Sequence, residues 1–180
     1  MIKTKIIQSD FSIQISLNNN KFEKKFIHGT LTVKLPDKIK IDLDQPISTS
    51  IFINEKNIAI LNKQNSTQYT LQSDYELLLK IFEKINNNKI EEVRDFFNFR
   101  LIGNHKGYKI IEMIPATLES NVNKIVVTTS DQCPGIVRLI LIDHELNIFK
   151  IDFNSFKVLK QLPPNFFKAN LNKSFKTILF

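Results

Sequence analysis

A single cysteine, Cys133, is all the chain contains, so no internal disulfide can form and no cysteine-built metal cage exists. Beside Pro134 and Gly135 it reads as a turn residue, and the local sequence offers no base that would activate its thiol. The three histidines, His28, His105 and His144, fall in separate elements, and neither H-E-x-x-H nor a C-x-x-C pair occurs. Four glycines leave little material for a phosphate-cradling loop, and G-x-x-x-x-G-K-[ST], G-x-G-x-x-G and G-x-S-x-G are all absent. The densest ionisable triplet is Asp143-His144-Glu145. Consecutive residues of a regular element cannot all face one ion, so the triplet reads as a solvated hairpin turn. The expectation is a protein that is not an enzyme and holds no cofactor or metal.

No apolar run approaches the ~18 residues of a membrane-spanning helix. Residues 1–8 carry Lys3 and Lys5 but lack the apolar core of about 7–15 residues that a signal peptide needs. The sequence therefore fits a mature exported chain and a cytoplasmic one alike. Arginine is also scarce. Of 25 basic residues, set against 18 acidic ones for a net charge of +7, only Arg94, Arg100 and Arg138 are arginines. A basic balance can serve nucleic acid or anionic lipid. Here lysines are spread along strands and turns in a chain also rich in Asn and Ile, which is the pattern of ordinary solvated charges and AT-rich coding. The length of 180 residues suits one domain, 1–180, with a core of its own, and no repeat or linker marks a second.

What the chain does have is alternation. Ile27, Leu31, Val33 and Leu35 alternate with His28, Thr30, Thr32 and Lys34, with Gly29 in phase with the apolar set, the period-2 pattern of a strand with one buried face. After a turn at Pro36-Asp37 it resumes as Ile39, Ile41 and Leu43 against Lys38, Lys40 and Asp42, and Pro46 closes it. Short strands follow at 51–54 and 58–62 around Glu55-Lys56-Asn57, and another ends at Leu71, giving a run of adjacent antiparallel strands. Ahead of them Phe11, Ile13, Ile15 and Leu17 alternate with Ser12, Gln14 and Ser16 before a turn at 18–20. Ile2, Ile6 and Ile7 allow at most two helical turns before that strand.

Beyond Leu71 the period changes. Ser73 and Glu76 form a capping box, and Leu77, Leu78, Ile81, Phe82 and Ile85 recur at helical spacing as far as 86–88. A second short helical piece is expected over 90–97, with Val93, Phe96 and Phe97 on one side. Such a stripe serves either core packing or a lid over an open cavity. Strands return at 108–115, 124–129, 136–142 and 146–153, with turns at 131–135 and 143–145. From Phe156 through Pro163-Pro164 no pattern is legible.

The stretch from Gly29 to Leu71 resembles the central motif of the LolA-type lipoprotein carriers, a periplasmic family. That motif reads roughly G-x-L-x-V-K-R-P-x-x-F-x-W, then a Pro, then S-D-G-K-x-L-W-x-Y and a Q-x-T. Gly29, Leu31, Val33, Lys34, Pro36, Pro46, Lys56 and Ile58 match it, and Gln68 and Thr70 more loosely. Leu35 stands where the family has Arg, Ile39 and Ile41 where it has aromatics, and Asn54-Glu55 replaces an Asp-Gly turn.

The resemblance implies an α+β fold, mostly antiparallel β, with an unclosed barrel-like curved sheet and a helical lid. It implies a monomeric, non-enzymatic periplasmic carrier that binds the acyl chains of lipoproteins in a hydrophobic cavity. Its partners would be acylated lipoproteins, an inner-membrane lipoprotein-releasing transporter and an outer-membrane acceptor. In the family the Arg at the place of Leu35 lies on the inner side and can donate hydrogen bonds to the lid, whereas Leu has no donor. The aliphatic faces supply the expected acyl cavity: Phe11, Ile13, Ile15, Leu31, Val33, Leu35, Ile39, Ile41, Ile51 and Ile53, with Leu77, Leu78, Ile81 and Phe82 from the lid. Alternation shows that such residues share faces, not which face is concave, and a closed β-sandwich is the other way to cover them.

The alternative is a basic β-rich nucleic-acid-binding domain, with Phe22, Phe26 and Phe52 as stacking rings. The charged set Lys38, Lys40 and Asp42 includes a carboxylate and no ring, and solvated lysines on an outer sheet face are ordinary. No nucleic acid is therefore expected as a partner.

Overall fold

In the computed structural model the described residues are 6–17, 25–34, 38–44, 46–54, 57–62, 67–72, 96–116, 122–132, 135–169 and 176–179. They form twelve strands: β1 Ile6–Ser16, β2 Lys25–Lys34, β3 Lys38–Leu43, β4 Thr49–Asn54, β5 Asn57–Asn62, β6 Thr67–Gln72, β7 Phe97–His105, β8 Tyr108–Pro115, β9 Val122–Ser130, β10 Ile136–Asp143, β11 Ile148–Leu159 and β12 Lys176–Leu179. Their order is β12-β6-β5-β4-β3-β2-β1-β11-β10-β9-β8-β7. The strands β2 to β6 follow one another as an antiparallel meander. So do β7 to β11, while β12 joins β6 in parallel.

The fold is thus mostly antiparallel β, as the alternation requires. Among the described residues there is no helix. The expected lid helix, with Leu77, Leu78, Ile81 and Phe82, lies outside them, as do Leu35, Cys133 and Pro134. Two local expectations are corrected. Ile6 and Ile7 belong to β1, not to a helical stripe, and both are buried. At the end of the expected piece over 90–97, Phe96 sits in a turn and Phe97 opens β7.

The contacts gather into two compact units, one of residues 1–10, 27–80 and 155–180, the other of 11–26 and 81–154. In the second unit the register sets Met113 against Phe99 and Ile125, and Val127 against Ile111 and Leu139. Met113 and Val127 are fully buried, and Phe11, Phe97, Ile125 and Ile136 nearly so. The intervening residues carry charge. Arg100 Nη2 lies 2.8 Å and Lys124 Nζ 3.3 Å from the two oxygens of Glu112, and Arg138 and Lys150 flank Asp152. Partial burial pushes the Glu112 carboxyl up, but hydrogen bonds from Lys124 and Arg100 outweigh it and hold the group below its usual range. Asp152 is lowered in the same way by Arg138 and Lys150 against burial.

Hairpin chemistry closes this meander. The β7–β8 turn is two residues, Lys106 and Gly107, both at positive φ (48° and 79°), the conformation that matches the right-handed twist of the strands. Within β7 the register skips between Leu101 and Gly103, which leaves Ile102 as a bulge. A Cβ at Gly103 would stand 3.2 Å from Ile110 Cδ1, so a larger residue there would require that side chain to shift by a few tenths of an ångström. The triplet 143–145 is a hairpin turn, as expected. Asp143 accepts hydrogen bonds from the Asn147 backbone and side chain at 2.8 Å each, and these, against the opposing effect of burial, keep its carboxyl low.

Candidate functional site

In the first unit the β2–β5 register lines up aliphatic side chains in two rows. One runs Val33, Ile39, Ile53, Ile58 and the other Leu31, Ile41, Ile51, Ile60. Directly opposed residues of antiparallel neighbours point to the same side, so the eight share one side, across about 14 Å of strand spacing. Branched side chains pack well on a pleated surface, which explains why this sequence makes the rows. Val33, Ile39 and Ile58 are buried. Leu31, Ile41, Ile51, Ile53 and Ile60 are only half-buried. Val33 and Ile39 form the centre of a cluster against which Leu31, Ile41 and Ile53 pack. Neither row contains a polar side chain. The rows end at the rung Gly29, Leu43, Thr49, Asn62.

Six of the sequence-expected residues, Leu31, Val33, Ile39, Ile41, Ile51 and Ile53, are therefore brought together. Ile58 and Ile60 complete the rows and were missed, although their own alternation around Ala59 is plain. In the second unit Phe11 is buried with its ring 6.4 Å from that of Phe153. Ile13 and Ile15 follow it at alternate positions of β1, each half-buried. Leu35, Leu77, Leu78, Ile81 and Phe82 lie outside the described residues.

The other side of β2–β4 corrects an expectation. Lys38, Lys40 and Asp42 were expected to be a solvated row without rings. Instead, the Lys40 side chain is 18% exposed, with Nζ 3.0 Å from Asp42 Oδ2. The same ammonium lies 5.4 Å from the centre of the Phe52 ring and 4.5 Å from that of Phe166, within cation–π range. Ser50 donates to Asp42 Oδ1, and Gln8 Nε2 donates to Thr32 Oγ1 at 3.2 Å. Asp10 accepts from Thr30 at 3.3 Å and from Ser155 at 2.8 Å. The physical reason is that part of the patternless stretch 160–169, including Phe166, lies against this side and dries it. Of the rings named for base stacking, Phe52 is buried beneath Lys40, Phe26 is exposed, and Phe22 lies outside the described residues. Among the described residues no three His, Cys, Asp or Glu side chains gather as a metal site.

Residues 3–170 match the family profile described as outer membrane lipoprotein carrier protein LolA. An uncharacterized conserved protein from Thermus thermophilus is similar in structure over 97% of this chain and 90% of its own, with a TM-score of 0.63 at 8% identity. A DUF1329 family protein from Desulfovibrio piger is similar over 93% and 91%, with a TM-score of 0.53 at 13% identity. MucB, which in Pseudomonas aeruginosa has been solved in complex with MucA, is similar over 92% of this chain and 57% of its own, with a TM-score of 0.52 at 6% identity. At these identities the likeness is one of fold. No curated protein sequence matches the chain.

Proposed function

We propose, because the chain belongs to the LolA family of outer membrane lipoprotein carrier proteins, that it holds the acyl chains of lipoproteins and carries them through the periplasm from the inner to the outer membrane. The observation that supports this reading is the pair of all-aliphatic rows on β2–β5, five of whose eight members are only half-buried. Aliphatic side chains make no directed bonds, which suits a flexible acyl chain. Burial of each methylene is worth ~0.8 kcal/mol, so a dozen of them provide about 10 kcal/mol without any specific contact. Transfer then requires only a surface of greater apolar affinity, and no catalytic residue takes part.

In this reading the whole chain, 1–180, is one monomeric carrier domain. Phe11, Ile13 and Ile15 add to the apolar lining, as do Leu35 and the residues Leu77, Leu78, Ile81 and Phe82. The inner-membrane lipoprotein-releasing transporter and the outer-membrane acceptor are its partners. Mass spectrometry of lipid extracted from the purified protein, with displacement of an apolar fluorescent probe by a synthetic lipopeptide, tests the proposal. Acyl-bearing molecules in the extract and probe displacement are expected, with probe binding lost in Ile41→Glu, where a carboxylate would be desolvated among aliphatic neighbours. Full probe binding by a folded Ile41→Glu variant contradicts the assignment.

A further inference from the structure

The side of β2–β4 that faces away from the aliphatic rows holds a cleft. It has a volume of about 440 Å³ and lies at one end of β1–β4, bounded by residues 160–168, a size within the range of small-ligand sites. Among its described lining residues are four lysines, Lys34, Lys38, Lys160 and Lys168, and no carboxylate. Lys34 and Lys38 stand directly opposite each other at the end of the β2–β3 hairpin, a like-charge pairing that destabilises a sheet. Asn54, opposite Lys38 on β4, also lines the cleft, and its Oδ1 is buried without a hydrogen-bond partner, although buried polar groups nearly always have one. The apolar part of the wall includes Ile6 and Phe167, both buried.

Ammonium groups gathered around one space repel one another, and an anion among them removes that repulsion. No described residue of the lining is an acid, and an anionic group of a bound molecule suits that role. We propose that this cleft binds the phosphate headgroup of an anionic amphiphile. The lysines meet the phosphate oxygens as mobile point charges, a headgroup hydroxyl supplies the donor that Asn54 lacks, and Ile6 and Phe167 meet the first carbons of the apolar part. The site does not rest on the carrier reading, since its residues lie on the other side of the strands from the aliphatic rows.

The test is calorimetric titration of the full chain with short-chain dihexanoylphosphatidylglycerol kept below its micelle concentration, against dihexanoylphosphatidylcholine and inorganic phosphate. Phosphatidylglycerol is expected to bind at least about tenfold tighter than either, and more weakly as salt rises. The double variant Lys34→Glu with Lys160→Glu should lose about tenfold or more, and the milder Lys34→Gln with Lys160→Gln severalfold. The glutamine pair decides the matter if the reversal unfolds the chain. Lys106→Glu with Lys157→Glu, which changes net charge equally at residues outside the cleft lining, should bind as the parent does. Equal affinity for the two lipids, or equal loss in the control pair, overturns the site. Equal binding of inorganic phosphate overturns its lipid part, and undiminished phosphatidylglycerol binding by both lysine double variants overturns the site.

Discussion

The two sides of β2, β3 and β4 bury their side chains in an order opposite to their chemistry. On one side Leu31, Ile41, Ile51 and Ile53 are aliphatic yet half-buried. On the other, Thr32 and Ser50 are polar yet only 1% exposed, beside a Lys40 ammonium held between a carboxylate and two rings. Around Lys40 the polar side is closed by the chain itself, because Thr32, Ser50 and Lys40 each find a partner of complementary kind, and only further along, at the cleft, is Asn54 Oδ1 left without one. The aliphatic side has no such pairing to complete, and only apolar atoms can cover it. Closure by internal partners is what stability asks of a surface, and in the proposed function the unfinished apolar surface is the one that receives the guest.

That contrast breaks most readily at Phe52, which is 7% exposed and carries Lys40 on its ring. Phe52→Ala is expected to cost about 3–5 kcal/mol, as other buried Phe truncations do, read as a lower denaturant midpoint, while the folded fraction keeps its affinity for an apolar probe. A loss under about 1 kcal/mol would show that this side is not the closed one. A smaller effect is expected from Asp42→Ala, which removes the acceptor of Ser50 and the counter-ion of Lys40. Leaving such groups unpaired costs about 1–3 kcal/mol, to be measured by urea unfolding, and no change would mean that the two groups repair themselves with water.

The opposite profile is expected on the aliphatic side. Ile41→Ala should cost less stability than Phe52→Ala, since the parent side chain is only half-buried. Loss of contact with one or two acyl methylenes, at ~0.8 kcal/mol each, should weaken lipopeptide binding by about four- to fifteenfold. Equal affinity in the variant would separate Ile41 from the guest.

The smallest expected effect concerns acid. Glu112 and Asp152 in the second unit have carboxyls held below their usual range, so each adds stability that is fully present above the unfolded value near 4 and is lost as pH falls through the lowered folded value. Melting temperature should be level from pH 7 to about 5 and fall below about 4.5. The decline should be shallower in Glu112→Gln with Asp152→Asn, and identical slopes would show that these pairs are idle.

Alternation made most of the meanders legible. The strand expected over 108–115 is β8 to the residue, and Leu31, Val33, Ile39, Ile41, Ile51 and Ile53 share a side as their phase demands. β7 was not legible, because Phe96, Phe97 and Phe99 are followed by Leu101 and Ile102 in succession, and the bulge at Ile102 breaks the period that identifies a strand. The adjacent Ile6 and Ile7 hid the start of β1 for a similar reason, since consecutive apolar residues suit a helix stripe as well as a strand buried on both sides. Burial of Lys40 was beyond reach of any local pattern. It depends on Phe166, which is 126 positions further along the chain in a stretch interrupted by Pro163 and Pro164.

The most direct measurement labels the isoleucine δ1 methyl groups for NMR and titrates in a fatty acid bearing a nitroxide on its acyl chain. The methyls of Ile39, Ile41, Ile51 and Ile53 are predicted to broaden first and together, while Ile6 on the other side of the strands and Ile102 and Ile148 in the second unit keep their intensity. Uniform broadening of all isoleucines, or broadening centred on Ile6, would contradict the assignment of the aliphatic rows as the seat of the acyl chain.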